Sequence, residues 1–225
     1  MTAREAIRVE EAGECWRFGR HWIRYLAHGR RAGATGLADF AAGDHFFGSV
    51  QVPSELAAFG NIIAAAPPER AMEVGTYKGG TLFFLARLAS PRATLISVDL
   101  PYRPARAKAL KCLRRRGQRL EVLQGDSHSP DILAHVKGVL AGRALDYLFI
   151  DGDHSYNGVK RDFEMYSPLV RSGGIVAFHD ICEHAQAAGC EVSRFWNEVK
   201  PGFRHIEIVE NWNQGWAGIG VLYIP

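Results

Sequence analysis

Residues 71–81 read Ala71-Met72-Glu73-Val74-Gly75-Thr76-Tyr77-Lys78-Gly79-Gly80-Thr81, a short apolar run that passes through a glycine turn into a helix-like stretch. Glycines let a backbone turn sharply and let a ligand approach it closely. Four more β-rich runs follow, at Thr94 to Asp99, Leu120 to Leu123, Leu145 to Asp151 and Ile175 to Asp180. Most are continuously apolar, as strands buried on both faces are. Helical stretches alternate with them (Thr81 to Ala89, Arg103 to Arg116, Asp131 to Leu140, Tyr156 to Leu169), so the expected class is α/β with a parallel sheet. Two late runs, His205 to Val209 and Ile219 to Ile224, follow a helical segment at Val192 to Val199 and are expected to close the sheet as an antiparallel edge. Upstream, Ser54 reads as the N-cap of a helix from Glu55 to about Ala65, stopped by Pro67 and Pro68, and Glu11 to His28 reads as another helix.

Composition excludes several classes. The 225 residues are 47% hydrophobic and 23% charged, which fits a globular domain rather than a disordered or fibrous chain. Lys plus Arg number 27 against 24 Asp plus Glu, so the bulk charge of +3 gives no pull toward nucleic acid or membranes. Eight bases and no acid fall between positions 103 and 119, but without interleaved aromatics they read as one solvated helix face. The four cysteines, Cys15, Cys112, Cys182 and Cys190, form no C-x-x-C pair, which argues against a structural zinc site or disulfide framework. No run approaches the ~18 to 20 apolar residues of a membrane span, and the first residues lack the apolar core of a signal peptide, so a cytoplasmic protein is expected.

Ligands of an open parallel sheet bind beyond the carboxyl ends of its strands, and here those ends carry acids: Glu73 within the first strand, then Asp99, Asp126, Asp151 and Asp180. The glycine turn narrows what such an edge binds. A dinucleotide fingerprint requires a second glycine where this chain has Tyr77, and a P-loop requires Lys directly after its last glycine, whereas Lys78 precedes Gly79. A nucleoside with a cationic tail suits the loop better, and S-adenosylmethionine is such a ligand. Asp99 lies 24 residues after Gly75, about the spacing of a ribose-binding acid one βα unit on. Gly125-Asp126-Ser127 then offers groups for the adenine edge. The competing account of Gly75, Gly79 and Gly80 is tight strand-to-helix packing alone.

Glu73-x-Gly75-x-x-x-Gly79-Gly80 resembles the first motif of class I S-adenosylmethionine-dependent methyltransferases. Phe149-Ile150-Asp151-Gly152-Asp153-His154-Ser155-Tyr156 and Ser172-Gly173-Gly174-Ile175-Val176-Ala177-Phe178-His179-Asp180 sharpen the likeness toward the macrocin O-methyltransferase and cephalosporin hydroxylase-like subgroup. Echoes at Cys190 to Trp196 and Gly218 to Leu222 extend it from about residue 51 to the C-terminus. The resemblance implies a Rossmann-like, seven-stranded, mostly parallel sheet with helices on both faces. It places the cofactor against Glu73, Gly75, Thr76, Tyr77, Gly79, Gly80, Thr81, Asp99, Gly125, Asp126, Ser127 and Asp151. It also implies a divalent cation (Mg or Mn) at Asp151, His179 and Asp180, and His154 as general base. Relatives commonly carry Glu, Asp or Asn where this chain has His179, and an imidazole there moves a hard oxygen site toward softer ions.

The expected reaction is methyl transfer to a hydroxyl of a small molecule, a sugar or natural product. His154 takes the proton, since an unperturbed imidazole has a pKa near ~6.5. Duller readings stand beside these. His154 is also placed to cap the helix that starts near Tyr156, His179-Asp180 to pack a strand end, and Asp153 to form a turn. Tyr77, Tyr156 and the Trp212 to Trp216 stretch are candidates for walls of the cofactor or acceptor pocket. Residues 1–50 carry no echo of the family and are expected to form a separate extension that serves as a substrate lid or makes contacts in a homo-oligomer. A nicotinamide-dependent oxidoreductase and a non-catalytic S-adenosylmethionine-binding partner protein remain as alternatives.

Overall fold

In the computed structural model, which describes residues 20, 33–43, 47–101, 104–185 and 189–225, seven strands form one sheet. The elements are α1 (Gly33–Gly43), α2 (Pro53–Ala65), β1 (Arg70–Val74), α3 (Gly80–Leu88), β2 (Thr94–Asp99), α4 (Pro104–Lys111) and β3 (Arg119–Gln124). They continue with α5 (Pro130–Leu140), β4 (Leu145–Ile150), α6 (Tyr156–Tyr166), β5 (Val170–His179), α7 (Val192–Val199), β6 (Arg204–Ile208) and β7 (Ile219–Tyr223). The strand order is β3-β2-β1-β4-β5-β7-β6. Only β7 runs antiparallel, to both β5 and β6. The two late strands close the sheet with antiparallel pairings, as expected; β6, outermost and paired antiparallel to β7, itself points the same way as β5.

Alternation along the strands fills both faces. Ala71, Leu95, Tyr147, Phe149 and Ala177 join the core packed under α1, α2 and α3. Their neighbours Met72, Ile96, Leu148, Val176 and Phe178 join the core beneath α5, α6 and α7. Each central strand thus buries side chains on both faces, which is why the runs read as unbroken apolar segments. No helix among the described residues is long and apolar enough to cross a membrane.

Several boundaries differ from the sequence reading. The first turn of α2 starts at Pro53, whose fixed φ suits that position, and its cap is Val52 in extended conformation rather than Ser54. The helix expected over Arg103 to Arg116 stops at Lys111. Arg106, Arg114 and Arg115 each donate to a main-chain carbonyl, of Lys78, Gln118 and Arg87 respectively. Pro168 turns the end of the expected Tyr156 to Leu169 helix into a separate 3-10 turn over Ser167–Leu169. The helix expected at Glu11 to His28 lies outside the described residues, apart from residue 20. Within the N-terminal fifty residues, Leu37, Ala38, Ala41 and Phe47 are buried in the same cluster as Phe59 and Phe84.

Glu55 ties the far edge of the sheet to α2. It is buried in the helix's first turn, where an acid complements the helix dipole. Its Oε1 accepts from the Glu210 amide at 2.9 Å and from Gln214 Nε2 at 2.8 Å, and its Oε2 accepts from the Gly218 amide at 2.9 Å. The β6–β7 loop, which carries Trp216 and Ala217, is held at three points by that carboxylate. Glu55→Ala is expected to lower the free energy of unfolding by about 3 kcal/mol, because three hydrogen bonds are lost at once and the buried Gly218 amide is left without its acceptor. Urea denaturation measures this, and a loss under about 1 kcal/mol would contradict the anchoring role.

Candidate active site

The strand order reverses between β1 and β4, and the chain leaves these neighbouring strands toward opposite faces, opening a crevice at their carboxyl ends. A cavity of about 840 Å³ occupies it. The walls include Gly75, Thr76, Tyr77, Gly80 and Thr81 from the first turn, then Asp99, then Gly125, Asp126 and Ser127, and then Asp151, His154, His179 and Asp180. Two of the expected cofactor residues are not on the wall. Glu73 is fully buried beneath the turn, on the side of the sheet that faces α1 to α3. Gly79 adopts φ 90° and faces Leu110, 2.3 Å from where a Cβ would lie, so its role is the turn and its packing. Gly80 lies against the main chain of Phe47 and Ser49, which makes part of the glycine pattern a packing requirement.

Asp99 clamps the turn. Its Oδ2 accepts from the amides of Thr76 at 2.8 Å and Tyr77 at 2.6 Å, while Thr76 and Ser97 share a buried hydroxyl contact of 2.6 Å. Tyr77 holds a left-handed φ of 47° and is 58% exposed over the cavity mouth. At β3, Asp126 Oδ1 accepts from the His128 amide at 2.9 Å, and Ser129 caps α5.

Between the ends of β4 and β5, carboxylates and imidazoles meet. His179 Nδ1 lies 3.3 Å from Asp151 Oδ1 and 3.2 Å from Asp180 Oδ1. His154 bridges the same two acids, with Nε2 3.5 Å from Asp151 and Nδ1 3.1 Å from Asp180 Oδ2. Asp180 follows β5 in a left-handed conformation (φ 62°) and accepts the Ala217 amide at 3.1 Å. Ser155, not His154, caps α6, by accepting the Gly158 amide at 3.1 Å. Asp153 takes the Ser155 amide at 2.9 Å and so forms the turn. Trp216 is on the cavity wall, whereas Trp212 and Tyr156 are not.

Sequence reasoning missed several wall residues, among them Val50, Gln51, His128 and His184. Gln51 donates its amide to Asp151 Oδ2 at 3.0 Å from a segment with no motif. Val50 stands beside it at the wall. His128 reaches Asp162 Oδ1 at 3.3 Å and the Gly158 carbonyl at 3.2 Å. His184 reaches Asp180; its spacing of four residues from a strand-end acid was the available signal.

The electrostatics correct the picture of His154 as an unperturbed base. The contact with Asp151, then that with Cys190, and the charge of Asp180 raise its pKa to about 11 against a smaller opposing effect of burial. Burial pushes His179 down, but Asp151 and Asp180 outweigh it and lift the ring to about 10. Burial pushes Asp180 up, and its imidazole neighbours bring it to about 2. Burial likewise works against the Asp151 anion, yet His179 and His154 keep that carboxyl below its ordinary range. The raised imidazole pKa values mean that this pairing contributes stability that is complete below about pH 6.5 and is lost as the pH climbs through 10 to 11. In chelator-treated protein, the His154 ring resonances are expected to stay at imidazolium positions to beyond about pH 9 by NMR. A midpoint near 6.5 would overturn the assignment.

Residues 72–181 match a family model described as a methyltransferase domain. An uncharacterised protein of Acanthamoeba polyphaga mimivirus is 29% identical over 113 residues, 48% of this chain, and the match spans about half the length of that curated relative. Among solved structures, the O-methyltransferase TomG of Streptomyces achromogenes, in complex with S-adenosylmethionine, aligns with a TM-score of 0.59 at 19% identity, over 87% of this chain and 92% of its own. An O-methyltransferase of Bacillus cereus in complex with S-adenosylhomocysteine gives 0.58 at 17% identity, over 83% and 87%. These two likenesses concern the fold. The match to the methyltransferase-domain model thus runs from Met72 in β1 to Ile181 just past β5, the stretch that carries the glycine turn and the ends of β4 and β5.

Proposed function

We propose that the protein transfers the methyl group of S-adenosylmethionine to a hydroxyl oxygen of a small molecule, a sugar or natural product, with His154 as the proton acceptor. The observation that carries the reading is the meeting of His154 with Asp151 and Asp180 in the same cavity that the glycine turn and Asp99 line at its other end. Asp99 would accept the ribose hydroxyls and Gly125 to Ser127 would border the adenine. The oxygen lone pair forms the new C–O bond as the C–S bond breaks, the sulfonium becomes a thioether, and the hydroxyl proton passes to the imidazole.

A divalent cation fits the donor set. Ligand atoms of Asp151, His179 and Asp180 lie within 4.8 Å of one another. When bound, such an ion supplies Lewis acidity toward the acceptor hydroxyl. Its positive charge would also counter the anionic field of Asp151 and Asp180 that raises the His154 pKa. Arg106, Arg114 and Arg115 are engaged with main-chain carbonyls, which favours a small acceptor over nucleic acid. Cys112, Cys182 and Cys190 are free thiols, in keeping with a cytoplasmic setting.

His154→Ala is expected to keep S-adenosylmethionine affinity while turnover falls by about 10²- to 10⁴-fold. Asp99→Ala is expected to weaken cofactor binding by about 10- to 100-fold, the cost of losing charge-assisted hydrogen bonds. Calorimetry for binding and radiolabelled methyl transfer for turnover separate the two effects, and full turnover in His154→Ala would remove it as the base. Chelator treatment is expected to abolish transfer, with recovery on adding a divalent salt; unchanged turnover would exclude the cation.

A further inference from the structure

At the β3 end of the cavity, a buried acid stands behind a histidine on the wall. Asp162, in α6, is fully buried, and burial raises its pKa to about 6; Asp153 and Asp126 add to that rise, against the Ser127 contact and His128. A carboxylate out of water costs stability unless it is paired, and this one meets the His128 imidazole, whose Nε2 lies 3.3 Å from its Oδ1. The same nitrogen lies 3.2 Å from the Gly158 carbonyl oxygen. Carboxylate and carbonyl both accept, so Nε2 carries a proton and the ring cannot turn over without giving up two partners. The helix grips the main chain of the turn as well: Arg161 donates to the His128 carbonyl at 3.2 Å, and the Tyr166 hydroxyl donates to the Ser127 carbonyl. Ring and turn are thus held by one face of α6. His128 Nδ1 lies 3.7 Å from Asp126 Oδ1, beyond hydrogen-bond length, and His128 lines the cavity beside Gly125, Asp126 and Ser127.

We propose that His128 is a specificity residue for the cofactor's base and that Asp162 is its positioning residue. With Nε2 held, Nδ1 offers a lone pair at the end of the cavity read above as the adenine border, where it accepts from the exocyclic amino group of the purine. The inference rests on that reading of Gly125 to Ser127. A purine with an oxygen in place of the amino group sets acceptor against acceptor and is disfavoured. Asp162 is not on the cavity wall, so it acts through the ring, as a buried carboxylate orients the imidazole of a catalytic triad.

Calorimetric titration of the full-length protein with S-adenosylhomocysteine and with S-inosylhomocysteine, which carries an oxygen in place of that amino group, tests this without an acceptor substrate. Wild-type protein is expected to prefer the amino form by about 10- to 100-fold. His128→Ala is expected to weaken S-adenosylhomocysteine by about 10-fold and to leave S-inosylhomocysteine within about two-fold, so that most of the preference disappears. Asp162→Leu, apolar and of similar size, is expected to fold yet to lower the preference by about three- to ten-fold, and Asp162→Asn, which keeps an acceptor for Nε2, to restore most of it. A purely structural Asp162 would lower both affinities alike and leave the preference unchanged, which would overturn its positioning role. An undiminished preference in His128→Ala would overturn the assignment of His128 while the cofactor reading stands. Failure of the wild-type protein to bind S-adenosylhomocysteine would overturn the cofactor reading and this inference with it.

Discussion

The carboxyl ends of β1 and β4 approach so closely that residue 75 has no room for a side chain: a Cβ there would lie 1.9 Å from the carbonyl oxygen of Asp151. Gly75 donates to the Val98 carbonyl at 2.9 Å and Asp151 donates to the Val74 carbonyl at 2.8 Å, so three strand ends are laced together at that point. The chain then leaves β1 and β4 in opposite directions. The crevice between the departing segments is the cavity, and whatever it binds rests on the contact between Gly75 and Asp151.

Strain gathers around the same crevice. Among the described residues, four non-glycine positions have positive φ, and three of them, Tyr77, Asp180 and Ala217, border the site. Such conformations cost of order 1–3 kcal/mol each and persist where the surroundings hold them. Here the holders are visible: Asp99 grips the Tyr77 amide, Asp180 accepts from Ala217, and Glu55 secures Gly218 directly after it. Two carboxylates therefore serve the backbone as well as the chemistry expected of them.

Charge couples the two ends of the mechanism. Three imidazoles and two carboxylates share the β4–β5 corner, and the proton on His154 is retained by the same anions that suit a cation. A base read from an isolated D-x-D-H string has an ordinary pKa; a base between two nearby carboxylates does not. The protonation state of His154 is thus a property of the cluster and of what neutralises it.

The sequence by itself determined the α/β class, the central strands and the acids at their ends, because a strand buried on both faces needs an unbroken apolar run and a glycine turn has a local signature. Asp99, Asp151, His154, His179 and Asp180 were legible for that reason. Only the tertiary structure decided that Glu73 and Gly79 stand off the wall, that Ser155 rather than His154 caps α6, and that β6 runs parallel to β5. It alone brought in Gln51 and His128, whose partners Asp151 and Asp162 are joined to them by folding rather than by any motif. Burial and proximity set their chemistry, and neither quantity exists in a chain before strands from distant positions have packed side by side.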